Sequence, residues 1–154
     1  MSGGGRPRAK LSRRFHLCAS HRLHTDAYDA ERNAEVFGKC NHPHGHGHNY
    51  TVEVTFAGAI DEETGMVTNL ADLDRFAEGA LLGVFDHQNL NTLACFSETV
   101  STTENFAVEV YRIFSAYSHA RLERVRIEET ANNSFSYAGV RSAILEEKKI
   151  GAKQ

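Results

Sequence analysis

The chain has 154 residues, 41% apolar and 24% charged, a length and composition that fit one globular domain rather than a disordered chain. Its 17 basic and 20 acidic side chains leave a net charge of -3, which argues against the basic surface that general nucleic-acid binding requires. No apolar run approaches the roughly 20 residues that cross a bilayer, no secretory h-region follows the start, and Ser2 stands where myristoylation needs glycine. Cys18, Cys40 and Cys95 are odd in number and far apart, so the sequence reads as a reduced, cytoplasmic protein without a disulfide framework.

In chain order, "MSGGGRPRAK" (1–10) reads as a flexible tail, a solvated segment rather than a phosphate-binding arm. "RFHLCASHRL" alternates, with Phe15, Leu17, Ala19 and His21 on one face of a strand. "TDAYDAERNAEVFG" holds helix formers and stops at Gly38. "HNYTVEVTFAG" alternates again: Tyr50, Val52, Val54 and Phe56 face one way and Asn49, Thr51, Glu53 and Thr55 the other. A turn around Thr64-Gly65 leads to "NLADLDRFAEGALLGVF", a helix capped by Asn69 with a stripe of Leu70, Leu73, Ala77, Ala80, Leu81 and Val84. "STTENFAVEVYRIFSAY" is a second long helix, lined by Phe106, Val110, Ile113, Phe114 and Tyr117. "ERVRIEETANN" is a strand ending in a turn at Asn132-Asn133, and "SFSYAGV" a last short strand. The order predicts an α+β domain over residues 11–145, with a largely antiparallel sheet, helices on one face and a polar C-terminal tail at 146–154. Such a sheet has open edges, which makes oligomerisation through strands an expectation.

The chemistry concentrates in "CNHPHGHGHN". If the central strand reaches back to residue 46, His46 and His48 share a face with Cα atoms about 7 Å apart, close enough to converge on one ion. His21 ends an apolar strand face and needs a polar partner there, which makes it the best third ligand. Three histidines leave one position of a tetrahedral Zn²⁺ open, as catalytic sites do. His24, His42 and His44 compete for the same role, and Cys40 as a fourth ligand would close the site into a structural one. Cys40 is otherwise a candidate thiolate beside Lys39, or an inert cysteine. Asp86-His87 is a candidate orienting pair for a nucleophile or base. Ser101-x-x-Glu104 matches a capping box, while Thr102, Thr103 and Glu104 would alternatively present polar groups to a ligand at a helix start. Glu129 extends the apolar side of its strand (Val125, Ile127), so it is paired, at a wet strand end, or functional; a guanidine-like heterocycle edge would suit it.

In this order, "ASHRLH", "VFGKCN-x-P-x-GHGHNY", "TGMV-x-NL-x-DL", "DH-x-NL", "STTEN" and "ET-x-NN" resemble the 6-pyruvoyl tetrahydropterin synthases over roughly residues 12–138. The resemblance implies the tunnelling fold, in which strands of three subunits close into a barrel and two trimers stack into a homohexamer. It implies Zn²⁺ on His21, His46 and His48, a catalytic Cys40 with Asp86 and His87, a pterin-anchoring Glu129, and pterin contacts from Thr102, Thr103 and Glu104, in sites shared between subunits. The implied reaction turns 7,8-dihydroneopterin triphosphate into 6-pyruvoyl tetrahydropterin and triphosphate, for tetrahydrobiopterin synthesis. His42 and His44 depart from the asparagines usual in the animal enzymes. Two other functions are weighed: a 6-carboxytetrahydropterin synthase of deazapurine synthesis, whose cysteine usually stands nearer to His-Gly-His, and a non-enzymatic histidine-rich metal binder.

Overall fold

The computed structural model describes residues 5–140; the polar tail read at 146–154 and the end of the expected domain at 141–145 lie outside the described residues. Strands β1 (Arg8–His21), β2 (His46–Ala59), β3 (Gln88–Asn89), β4 (Arg121–Thr130) and β5 (Asn133–Tyr137) form one sheet in the order β3-β1-β2-β4-β5. Helices α1 (Ala30–Phe37), α2 (Leu70–Ala77), α3 (Gly83–Phe85) and α4 (Thr103–Phe114) complete the α+β architecture. Every ladder is antiparallel except the short β1–β3 contact at Ala19 and Ser20, which is parallel and had no signature in the sequence.

The period-two pattern places the core. Phe15, Leu17 and Ala19 of β1, Tyr50, Val52, Val54 and Phe56 of β2, and Val125 and Ile127 of β4 are all buried on one sheet face. Against them pack Phe106, Ala107, Val110 and Phe114 of α4 and the stripe Leu73, Ala77, Leu81 and Phe85. That stripe repeats every four residues, which an α-helix of 3.6 residues per turn cannot keep on one side. A π-helical turn (Glu78–Leu82) between α2 and α3 absorbs the mismatch. Leu70, at the first turn of α2, and Val84, past the π turn, both expected in the stripe, are exposed. Arg13 of β1 holds Asp74 of α2 with two hydrogen bonds of 2.7 and 2.8 Å, fixing helix to sheet.

The strand begins earlier than the sequence suggested. Arg8, Ala9 and Lys10, read as tail, pair with Ala59, Gly58 and Ala57 of β2. The ladder is made by backbone groups, so the charged side chains of this end do not prevent it, and Lys10 finds Glu123 at 2.7 Å. On the face away from the helices, Glu53 is buried, because Arg14 and Arg124 close over it at 2.7 and 3.2 Å.

Candidate active site

The β1–β2 register sets His21 opposite His46 and Ala19 opposite His48. Because β2 does start at His46, His46 and His48 share a face, and with His21 they form the group among the described residues able to hold a metal ion: their donor nitrogens lie within 4.8 Å of one another. The three rings meet edge to face, with centroids 4.7–5.2 Å apart. His21 is 1% exposed, and its Nδ1 is 2.6 Å from the carbonyl oxygen of Ser101. A carbonyl only accepts, so Nδ1 carries the hydrogen and Nε2 turns a lone pair toward the other rings. His48 Nε2 is buried without a hydrogen-bond partner among the described residues. Burial pushes the pKa values of both His21 and His48 down, with the other imidazoles adding to the shift, so the rings are kept in the neutral form that binds metal. A buried orphan nitrogen and two convergent lone pairs fit a cation. Gly45 makes the approach of this loop possible: its φ is +70°, and a side chain there would meet the His21 carbonyl oxygen at 2.6 Å.

Glu129 joins the cluster from β4. Its Oε1 accepts from Thr103 Oγ1 at 2.6 Å and its Oε2 from Asn133 Nδ2 at 2.8 Å. Oε1 also stands 3.7 Å from His21 Nε2 and 3.6 Å from His48 Nε2. Burial opposes ionisation of this carboxyl, but the Thr103 and Asn133 bonds and the two imidazoles outweigh it and hold its pKa below the usual range. The capping box expected at Ser101-x-x-Glu104 is not formed. The N-cap is Thr102, whose hydroxyl accepts from Asn105 N, and the carbonyl of Ser101 is given to His21 instead. The shift by one residue puts Thr103 in position to reach Glu129 and leaves Glu104 exposed in the first turn.

Cys40 lies in a 3₁₀ turn (Gly38–Asn41) directly after α1, which ends at Gly38 with φ +55°. It is a free, half-buried thiol that lines an open cleft of about 590 Å³ together with Lys39, His42, Gly45 and His46. It is outside the converging histidine group, and so are the competitors: His24 bonds Asn41, and the rings of His42 and His44 lie 5.7 Å apart beside each other. Asp86 and His87 form a pair, Oδ2 to Nδ1 at 3.0 Å. Bonds with the Cys18 backbone fasten them to the side of β1 that β3 only partly covers: Cys18 N donates to Asp86 Oδ1 at 2.8 Å and His87 N to Cys18 O at 2.6 Å. His87 adopts φ +59° there, and its ring is 80% exposed. The Cys18 amide holds the Asp86 carboxyl below the usual carboxylate range, with His87 contributing. Within one chain, no hydrogen bond among the described residues connects this pair to Cys40.

The family model of 6-pyruvoyl tetrahydropterin synthase matches residues 10–140. The chain belongs to the 6-pyruvoyl tetrahydropterin synthase family. The human 6-pyruvoyl tetrahydrobiopterin synthase is 46% identical over 139 residues, covering 89% of this chain and 96% of the human one. The Drosophila melanogaster protein of the same name is 45% identical, covering 86% and 81%. A solved structure, the 6-pyruvoyl tetrahydropterin synthase of Caenorhabditis elegans, superposes with a TM-score of 0.83 at 38% identity, over 87% of this chain and 97% of that one. The mixed α+β fold is therefore that of the 6-pyruvoyl tetrahydropterin synthases.

Three contacts of this 6-pyruvoyl tetrahydropterin synthase fold escaped sequence reasoning: Ser101 O to His21, Thr103 to Glu129, and Asn133 to Glu129. The motifs "STTEN" and "ET-x-NN" held the right residues, but no spacing rule tells which side chain crosses from a helix start to a strand end. No helix among the described residues is long and apolar enough to cross a membrane.

Proposed function

We propose that the chain is a cytoplasmic zinc enzyme that converts 7,8-dihydroneopterin triphosphate to 6-pyruvoyl-5,6,7,8-tetrahydropterin and triphosphate, in tetrahydrobiopterin biosynthesis. The observation that carries this is the convergence of the imidazoles of His21, His46 and His48 beside a thiol that is not one of them. A Zn²⁺ held by His21, His46 and His48 would supply Lewis acidity to the side-chain hydroxyl oxygens of the substrate.

The residues of the chain do the rest. Cys40, as thiolate, takes a proton from a side-chain carbon of the substrate. His87, oriented by Asp86, sets the protonation state of that thiol, which requires the pair to come from a neighbouring subunit, because in its own chain it stands on an open sheet edge. A homohexamer built by joining sheet edges provides such a neighbour. Thr102, Thr103 and Glu104 contact the pterin at the start of α4. Glu129 accepts hydrogen bonds from the N–H groups of the ring's guanidine-like edge and fixes the ring for directed proton delivery. The reaction balances without an external reductant: the ring gains the hydrogens that the side chain gives up, and triphosphate leaves with its bridging oxygen. The nearness of Glu129 Oε1 to His21 and His48 favours a second role for the same carboxylate, receiving a proton from a substrate hydroxyl at the metal centre, with Glu104 then holding the ring.

Five residues separate Cys40 from His46, the spacing of the pyruvoyl enzymes rather than the shorter one usual in 6-carboxytetrahydropterin synthases. Incubating the purified protein with 7,8-dihydroneopterin triphosphate, with and without a chelator, and identifying the carbon product tests the proposal. A 6-pyruvoyl product that disappears with the metal supports it. Release of acetaldehyde, or metal binding without turnover, overturns it.

A further inference from the structure

The turn that carries Cys40 is tied to the same stretch of chain that carries His21. Directly after β1, Leu23 N donates to Cys40 O at 2.8 Å, and Arg22 Nε donates to Asn41 O at 2.9 Å. Asn41 closes the clamp from the other side. Its side-chain amide donates to Leu23 O at 2.8 Å and to His24 Nδ1 at 3.1 Å, so both of its N–H groups are used on residues that follow His21. Asn41 is 8% exposed, a burial that suits a side chain whose polar groups are bonded. Arg22 is fixed in turn by Asn91, which accepts from Arg22 N at 2.7 Å and donates to Arg22 O at 2.8 Å. The thiol turn and the end of the His21 strand thus form one frame, held by side chains that lie outside the reacting set.

The frame matters because of where the thiol lies. Cys40 shares its cleft with His46, yet it is outside the group of converging nitrogens. Thiolate sulfur is a ligand that Zn²⁺ favours, and three histidines leave a tetrahedral centre room for one more donor. A Cys40 free to swing across the cleft would fill that place, and the closed centre would offer neither a position for a substrate oxygen nor a free base. We propose that Asn41, assisted by Arg22, is a positioning residue: its clamp on Leu23 and His24 holds the Cys40 thiol beside the metal ligands and off the metal. This rests on the function proposed above. Misplacing a reacting group by about 1 Å can cost about 100-fold in rate, so the clamp governs turnover rather than pterin affinity.

The test is Asn41→Leu, which keeps a similar volume and removes both donors, with Arg22→Met as a second variant that spares the Asn41 side chain. Each is loaded with Co²⁺ in place of zinc. A thiolate bound to Co²⁺ adds a strong sulfur-to-metal charge-transfer band in the near ultraviolet, which histidine ligands do not. The unmutated protein should take up Co²⁺ without that band. Asn41→Leu should show it, Arg22→Met should show it more weakly, and adding Cys40→Ala to either variant should abolish it. With zinc, kcat of Asn41→Leu should fall about 100-fold at unchanged KM. Asn33→Ala is the control for plain loss of packing: Asn33 is fully buried and binds the same loop at Thr25 and Tyr28 rather than at the Cys40 turn. It should lower the melting temperature without producing the band. No band in a folded Asn41→Leu, an unchanged kcat, or an equal band in Asn33→Ala would make Asn41 a packing residue and overturn the proposal. If Asn41→Leu does not fold, absence of the band in Arg22→Met overturns it instead. If the unmutated protein binds no Co²⁺, or binds it with the band, it is the proposed function that fails, and the two failures are read from different samples.

Discussion

Nε2 of His21 stands 3.1 Å from Nε2 of His46, across two residues that face each other in the β1–β2 register. The hydrogen of His21 is committed to Ser101 O through Nδ1, so its Nε2 is a bare lone pair. Two facing imidazole nitrogens at this distance share either a hydrogen or a cation. The third ring, His48, brings another nitrogen without a partner and makes the cation the better account.

His21→Ala should therefore abolish metal binding while leaving the β1–β2 ladder intact. The affinity for zinc, measured by chelator competition, is expected to fall by more than about 100-fold, since even residues that merely orient ligands are worth about 10- to 100-fold. A variant with undiminished affinity would remove His21 from the ligand set.

Cys40→Ala separates a ligand from a base. Zinc content should stay at that of the unmutated protein, while kcat falls by about 100-fold or more, the range of a lost acid–base group. Metal analysis and product assay on one preparation decide it. Loss of zinc together with activity would make the thiol a ligand.

Thr103→Val removes a 2.6 Å hydrogen bond to the Glu129 carboxylate and keeps the side-chain shape. Hydrogen bonds to charged groups are worth about 1.5–3 kcal/mol, so pterin affinity should drop roughly ten-fold or more with zinc retained. Glu129→Gln should act in the same direction, and unchanged pterin affinity in both variants would discard the anchoring role.

Cys40→Ala and His87→Ala are each expected to be inactive alone. Co-refolded as an equal mixture, they should recover about a quarter of the activity, because random assembly rebuilds that share of sites from two intact contributions. No recovery would place all catalytic groups of a site in one chain.

Asp86 titrates below its ordinary value of 3.8 because the Cys18 amide donates to it. A carboxyl with a depressed folded pKa adds stability that is present above the unfolded value and lost as pH falls through the folded one. Asp86→Asn should thus be less resistant to denaturant than the unmutated protein at neutral pH, with the gap closing in acid below pH 3.8. A gap that persists unchanged in acid would mean that the ionised carboxylate is not what holds this edge.

The sequence by itself determined which residues alternate and which repeat helically. Period two put His46, His48 and Tyr50 on one face and Val125, Ile127 and Glu129 on another, and local chemistry stopped α1 at Gly38 and named Asn69 as a cap. These follow from backbone geometry within a few residues, which a chain carries whatever it packs against. Strand-face parity favoured His21 as the third histidine, but the tertiary structure decided that it meets the pair. His21 rather than His24, His42 or His44 is set by a 14-residue register between two strands, and a register is a relation between distant segments. The cross-links from Ser101 to His21 and from Thr103 to Glu129, the π turn that keeps a four-residue stripe on the core, and the stranding of Asp86 and His87 at a sheet edge have the same origin. Each depends on where two separately formed elements come to rest, and side-chain packing, not local propensity, fixes that.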